Sequence, residues 1–195
     1  GLGDVCKRQL MASGDVDAGI ANDGDADRVG FVDEHGGYID QLRTFALLVN
    51  YMRGNRGLRG PIVKSVTTSN MATLLARHYG VPSFETPVGF NHIADHMLHG
   101  DVLIGGEESG GISIKGHIPE GDGILMGLLL LEIMADAKAP LKEIVADLQR
   151  EFGPTCYERT DFALKKPVPK REIVARLQAA APSSIGGETM REVLT

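Results

Sequence analysis

The sharpest chemistry in the chain is Asp23-Gly24-Asp25-Ala26-Asp27-Arg28. Carboxylates at alternate positions converge on one point if the backbone curls, and the small residues Gly24 and Ala26 leave room for that. Hard oxygen ligands suit Mg²⁺ or Ca²⁺, and Mg²⁺ takes few protein ligands and fills the rest of its shell with water or phosphate. Arg28, directly after the acids, is placed to grip a phosphate bidentately. Two other readings compete. A calcium loop of the EF-hand kind would have Asp23, Asp25 and Asp27 early in the loop and Glu34 at its end, but Arg28 then stands where that loop needs glycine. A plain solvated acidic turn would leave three aspartates repelling one another with no cation between them.

Two further loops carry polar groups of the right kind. Gly105-Gly106-Glu107-Glu108-Ser109-Gly110-Gly111 follows an apolar run. No Gly-Lys-Ser/Thr follows it, so it is not a phosphate cradle of the P-loop type. Glutamate accepts and serine both donates and accepts, which suits sugar hydroxyls. Thr86-Pro87-Val88-Gly89-Phe90-Asn91 follows a strand-like run and opens a helix, whose N-terminus attracts phosphate or sugar oxygens. His92, His96 and His99 stand at helical spacing and read as solvated or packed, not as metal ligands.

The elements that must hold these loops follow from periodicity. Asp17–Ala21 and Val29–Val32 read as strands on either side of the acidic loop, with a turn at Glu34-His35-Gly36-Gly37. Gln41–Met52 reads as a helix with Phe45, Leu48, Val49 and Met52 on one stripe. Arg53–Pro61 reads as a linker. An alternating α/β pattern comes next: strands over Ile62–Thr67, Val81–Phe84, Val102–Ile104 and Ile112–Ile114, and helices from Ser69 to Tyr79 and across Phe90, Ile93 and Met97. Ser69 reads as an N-cap. Asp122–Ala137 is apolar enough to expect burial on several sides, and Leu141–Phe152 is amphipathic. Beyond Gly153-Pro154, Tyr157–Leu164 reads as extended, Lys170–Ala180 as helical, and the tail from Ser183 as lacking a closing element.

Composition bounds the alternatives. With 195 residues, 43% hydrophobic, 24% charged and no Trp, the chain suits a soluble globular fold. A net charge of −6 and the absence of a basic stripe argue against nucleic acid. The run Ile124–Met134 contains Glu132 and is too short to span a bilayer, and the opening residues show no basic start or apolar signal core. Cys6 and Cys156 form no metal spacing, and a reduced, cytoplasmic protein is the expectation.

Taken together, Gly19-Ile20-Ala21-Asn22-Asp23-Gly24-Asp25-Ala26-Asp27-Arg28, Glu85-Thr86-Pro87-Val88-Gly89-Phe90, Gly106-Glu107-Glu108-Ser109-Gly110-Gly111, His117-Ile118-Pro119-Glu120 and Asp122-Gly123 resemble the α-D-phosphohexomutase family, which includes phosphoglucomutase and phosphomannomutase. The resemblance implies an α/β fold: one complete domain of mixed sheet and helices, flanked by partial domains. Residues 1–58 would be the C-terminal part of a metal-binding second domain, 59–153 a sugar-binding third domain, and 154–195 a linker and the start of a fourth. It implies Mg²⁺ on Asp23, Asp25 and Asp27, a catalytic role for Arg28, and hexose phosphate contacts at Val88, Gly89, Glu107, Ser109 and His117. The Glu-Glu-Ser form of the loop resembles phosphoglucomutases more than the phosphoglucosamine branch.

The implied activity is interconversion of hexose 1-phosphate and hexose 6-phosphate through a phosphoserine, with glucose 1,6-bisphosphate as intermediate. No nucleic-acid or membrane partner is implied, and the oligomeric state stays open. The family's phosphoserine loop, of the Thr-Ala-Ser-His-Asn-Pro type, and its phosphate loop, of the Arg-Pro-Ser-Gly-Thr-Glu type, do not occur in these residues. The chain alone is therefore expected to be inactive. A metal- or sugar-phosphate-binding module without turnover is the alternative, followed by a calcium-loop protein. Asn91 and Gly121 stand where relatives usually carry a cation, which removes positive charge.

Overall fold

The computed structural model describes residues 11, 14–155, 163, 164 and 166–190. Cys6, Cys156 and most of the extended segment expected over Tyr157–Leu164 lie outside the described residues. The chain divides into two compact units, 1–157 and 158–195.

The first unit opens with a small antiparallel sheet. Strand β1 (Gly19–Asn22) pairs with β2 (Val29–Val32), Asn22 facing Val29, and β2 pairs with β3 (Tyr38–Ile39). The turn between β2 and β3 is closed by Asp33, whose side chain accepts from the Gly37 and His35 amides, while Gly36 takes a left-handed φ of 78°. Asp40 caps helix α1 (Gln41–Asn50) by accepting from the Arg43 amide. The helix then relaxes into a π-turn over Tyr51–Asn55.

The second sheet has strand order β5-β4-β6-β7. Strands β4 (Ile62–Ser65), β5 (Ser83–Thr86) and β6 (Ile104–Gly106) run parallel, and β7 (Ile112–Ile114) returns antiparallel to β6. Helix α2 (Asn70–His78) starts at Ser69, which accepts from the Met71 amide, so the expected cap is present. A cap of this kind stabilises a helix by about 1 kcal/mol. Helix α3 is Phe90–His99, α4 is Gly123–Ala137 and α5 is Leu141–Phe152.

Alternation along the strands separates two apolar layers. Ile62, Ile104 and Ile112 face a large core filled by Phe45, Leu48 and Met52 of the first helical segment, Met71 and Leu75 of α2, Leu130 of α4 and Leu148 of α5. Val63 faces a smaller core with Ile93 and Val102, backed by Phe90 and Met97 of α3. Helices thus cover both faces of the sheet. Gly105 and Gly106 permit close approaches within the sheet: a Cβ on Gly105 would lie 2.3 Å from Ile93 Cγ2, and one on Gly106 would lie 2.7 Å from the Phe45 ring.

Three expectations change. Helix α1 belongs to the main core of the α/β unit, with Phe45, Leu48 and Val49 fully buried, so the linker over Arg53–Pro61 does not separate it from the second sheet. Helix α4 is not buried on several sides: Ile124, Leu128 and Leu131 form an exposed apolar stripe, because its other face alone meets the core. In the second unit, α6 (Lys170–Ala179) contains no buried residue, and a two-residue hairpin, β8 (Ser184–Ile185) with β9 (Glu188–Thr189), stands in the tail where no closing element was expected.

Candidate metal and sugar site

The acidic loop is the connection between β1 and β2, so pairing of Asn22 with Val29 fixes both of its ends. Within it the Ala26 amide donates to the Asp23 carbonyl (3.3 Å), and Ala26 takes φ 60°. The left-handed conformation costs a residue with a Cβ about 1–2 kcal/mol. That cost is offset by contacts from both sides. Asn22 Nδ2 donates to the Arg28 carbonyl (3.0 Å), and the Gly123 amide donates to the Ala26 carbonyl (2.9 Å).

The expected convergence is present: the carboxylate oxygens of Asp23, Asp25 and Asp27 lie within 4.8 Å of one another. Arg28 Nε donates to Asp23 Oδ2 (2.6 Å) and Asp27 Oδ1 (3.3 Å), and the Arg28 amide donates to Asp23 Oδ1 (3.3 Å). Desolvation pushes the Asp23 carboxyl up, but the Arg28 bonds outweigh it and hold it below the ordinary range. Asp27 is displaced upward, by desolvation first and then by the Asp23 and Asp25 charges. Three hard oxygens this close fit a divalent cation that completes its shell with non-protein oxygens. The flanking elements are antiparallel strands, as expected, and not the helices of an EF-hand.

The Glu-Glu-Ser loop sits at the C-terminal end of β6, where open α/β sheets bind ligands. It is closed on itself: the Glu107 amide donates to the Gly111 carbonyl (3.0 Å) and the Gly110 amide to the Glu107 carbonyl (3.2 Å). Gly110 has φ 99°, and a Cβ there would lie 2.9 Å from the Val29 carbonyl, so glycine is required. Glu107, 9% exposed, turns inward, and its Oε1 accepts from the Gly89 amide (2.7 Å). The loop after β5 is thereby fastened to the loop after β6. Val88 beside it is exposed.

An isolated bridge between Arg28 and Gly111 joins the acidic loop to the Glu-Glu-Ser loop. An open groove of about 310 Å³ results, lined by Asp23 and Arg28 from one loop and Ser109 from the other, with Asn22 and Gln41 between them. His117 is placed differently. Its Nε2 meets Asp122 Oδ2 (2.9 Å), and Asp122 Oδ1 caps α4 by accepting from the Leu125 amide (2.8 Å). It is not among the residues lining the groove. Of the three histidines on α3, His96 stacks on Phe84 and His99 Nδ1 meets the Asp95 carbonyl. Among the described residues the three aspartates are the one group able to hold a metal.

The two positions read as lost cations have different structural settings. Asn91 lies beside an open groove with Glu85, His92, Asp95 and His96. At Gly121 a Cβ would lie 2.6 Å from the Asp27 carbonyl, so the backbone itself occupies the space a side chain would need. Several polar residues were not singled out from sequence. Asn22 and Gln41 act through local geometry that spacing does not reveal. Lys64, 1% exposed, carries a buried charge answered by Glu85 on the neighbouring strand. Glu108 accepts from Thr67. Such pairs cross strands and leave no sequence pattern.

The family model for phosphoglucomutase/phosphomannomutase, alpha/beta/alpha domain III, matches residues 40–152. The chain belongs to the α-D-phosphohexomutase family. The acidic loop precedes the matched span. Similar curated proteins include the phosphoglucosamine mutases of Desulforudis audaxviator, 35% identical over 75% of this chain and 32% of the relative, and of Corynebacterium jeikeium, 37% identical over 67% of this chain and 30% of the relative. Among solved structures, a Thermus thermophilus protein assigned as a phosphomannomutase superposes with a TM-score of 0.70 at 37% identity, covering 75% of this chain and 34% of that one. Paramecium parafusin, a phosphoglucomutase, superposes with a TM-score of 0.63 at 28% identity, covering 71% and 25%. The chain spans about a third of the length of the curated relatives it matches. None of its described helices is long and apolar enough to cross a membrane.

Proposed function

We propose that this chain is the metal- and sugar-binding portion of a phosphohexomutase that interconverts hexose 1-phosphate and hexose 6-phosphate, of the phosphoglucomutase or phosphomannomutase type. The observation that carries the reading is the groove that places Asp23 and Arg28 opposite Ser109. One wall suits a metal and a phosphate, the other a sugar hydroxyl, at a spacing set by the Arg28–Gly111 bridge. Asp23, Asp25 and Asp27 would hold Mg²⁺, which when bound neutralises charge on a transferring phosphoryl group.

Arg28, once turned from Asp23, takes phosphate oxygens, and the move exchanges one charge-assisted bond for another. Ser109 and the second oxygen of Glu107 fix sugar hydroxyls, while the first oxygen keeps the Gly89–Phe90 turn in place. Val88 and His117 border the site rather than lining the groove. The covalent nucleophile, a phosphoserine, belongs to residues outside this chain, with glucose 1,6-bisphosphate as the intermediate. The same reading makes the protein cytoplasmic, with a hexose phosphate as its partner and neither nucleic acid nor membrane. Within the chain, the limits 1–58, 59–153 and 154–195 remain our division by role, into metal, sugar, and linker with the start of a further domain; the first limit divides roles and not cores, since α1 packs in the core of the second sheet.

The sugar is the open choice. The sequence relatives named above act on glucosamine phosphate, whereas the Glu-Glu-Ser loop favours a neutral hexose. Calorimetric titration of the chain with Mg²⁺, then with glucose, mannose and glucosamine 1-phosphates, separates the two. Tighter binding of a neutral hexose phosphate in the presence of Mg²⁺ is expected. Preference for the amino sugar would reassign the specificity, and no binding of any would refute the reading. A coupled assay for glucose 6-phosphate should show no turnover by this chain alone.

A further inference from the structure

We propose that Glu108 is a positioning residue for the sugar-binding loop, acting through Thr67; this rests on the phosphohexomutase reading above. Glu107 and Glu108 are adjacent, yet their carboxylates go opposite ways. Glu107 reaches the loop after β5 at the Gly89 amide. Glu108 reaches the loop after β4, where its Oε2 accepts from Thr67 Oγ1 (2.6 Å).

Thr67 is the end of a hydroxyl ladder. Ser65 Oγ lies 3.1 Å from Thr67 Oγ1 and 2.9 Å from Thr68 Oγ1, and Thr68 Oγ1 donates to the Gly106 carbonyl (3.4 Å). Ser65 and Thr68 are buried, at 0% and 4% exposure. The ladder therefore grips the chain twice, at the Gly106 carbonyl and at the Glu108 carboxylate. Glu107 is the single residue between the two grips. Rotation of its backbone strains both grips and would shift Ser109 from its place in the groove.

The proton count makes the ladder branched, with Ser65 bonded to one threonine at a time. Thr67 spends its one proton on Glu108 and Thr68 spends its own on Gly106, so Ser65 donates to only one of the two threonines. The Glu108 carboxylate accepts from Thr67 and so sets the direction of its hydroxyl. Buried at Ser65 and Thr68 and exposed at Thr67, the ladder ties the loop it holds to the end of β4.

The test uses the 195-residue chain with Mg²⁺ and glucose 1-phosphate, monitored at the amide resonances of Gly89, Ser109 and Gly111. Thr67→Val is isosteric and removes the hydroxyl; Glu108→Ala removes its acceptor. Each should weaken sugar phosphate binding about fivefold, the size of one net hydrogen bond. The double variant should be no weaker than either single one, and Thr67→Ser should return to within about twofold of wild type. Mg²⁺ affinity and the melting temperature should stay at wild-type values in every variant. Unchanged sugar affinity in Thr67→Val, additive losses in the double variant, or losses that track a fall in melting temperature would each overturn the proposal while leaving the functional reading intact. A wild-type chain that binds no hexose phosphate would overturn both.

Discussion

The two loops that meet at the groove are held in opposite ways. The carboxylates of the acidic loop are held by near neighbours, with Asn22 on Arg28 and Arg28 back on Asp23 and Asp27, while distant residues reach only its backbone, at the Ala26 carbonyl and the Arg28–Gly111 bridge. Its carboxylates stand at the surface, and its charge is answered by one half-exposed arginine. The Glu-Glu-Ser loop closes its backbone on itself, but its glutamate side chains are held by residues far away in the chain, Gly89 and Thr67, and the first glutamate is buried. The first arrangement leaves its carboxylates outside the core. The second cannot move without moving the ends of three strands. A charged wall held locally thus faces a wall whose side chains are anchored across the fold.

The largest expected effect tests the rigidity of the second wall. Gly105→Val in β6 drives a side chain into Ile93, and overpacking a dense interior costs about 1–3 kcal/mol. Gly24→Ala in the acidic loop meets nothing within 4 Å and should change stability by less than about 0.5 kcal/mol. Urea denaturation of both variants checks the contrast. Equal effects would show that the two walls are not held differently.

Next comes the charge of the first wall. Asp25→Asn should weaken Mg²⁺ binding about tenfold, the scale of one charge-assisted contact, and leave the melting temperature of the metal-free chain unchanged. Calorimetry with Mg²⁺ reads the first quantity and a thermal scan the second. A fall in metal-free stability would mean that Asp25 is part of the loop's scaffold.

That contrast also explains what could be read from sequence. The acidic loop was legible because its ligands recur at alternate positions within a few residues, and the curl they need is local. The stripe Phe45, Leu48, Val49 and Met52 was legible for the same reason, as was the Ser69 cap. Gln41 and Thr67 were not, because each acquires its role from a partner across the fold. The exposed stripe on α4 escaped as well: Ile124, Leu128 and Leu131 are as apolar as its buried face, and hydropathy carries no record of which face finds a neighbour. Gly121 read as a lost charge, but the close passage of the Asp27 carbonyl makes it a steric requirement of the loop.

A smaller effect compares single carboxylates in the two walls. Glu107→Gln keeps the size of the side chain but weakens the acceptor for the Gly89 amide in a buried setting, which should cost about 1 kcal/mol. Asp27→Asn has the opposite sign. Desolvation and the neighbouring carboxylates already disfavour its charged form, so neutralising it should stabilise the metal-free chain by a few tenths of a kcal/mol, about the size of a surface charge pair. Chemical denaturation without Mg²⁺ measures both, and a destabilised Asp27→Asn chain would show that the Arg28 contact to Asp27 outweighs the repulsion.

The smallest effect uses a charge cluster away from the groove to separate global stability from binding. The Tyr51 hydroxyl lies 2.7 Å from Glu132 Oε1 and 2.6 Å from Asp136 Oδ2, and Arg56 pairs with Glu132. Desolvation first, and then the hydrogen bonds to Asp136 and Glu132, push the phenol up to about 12 from its ordinary 10.0. A raised phenol favours the folded state while it is protonated. Its contribution is complete below about pH 10 and is lost as the pH rises through about 12. Glu132 is held below its ordinary range by Arg56 and then Tyr51, so its contribution is complete above that range and lost in acid. Tyr51→Phe should therefore lower stability slightly at neutral pH and make it fall less steeply between pH 10 and 12 than wild type. Urea midpoints across that interval give the difference, and the shared loss from lysine titration cancels between the two chains. Mg²⁺ affinity at pH 7.5 should be identical in both. A change in metal affinity would mean that this cluster communicates with the acidic loop through α4, and the picture of acidic-loop carboxylates held only locally would have to be abandoned.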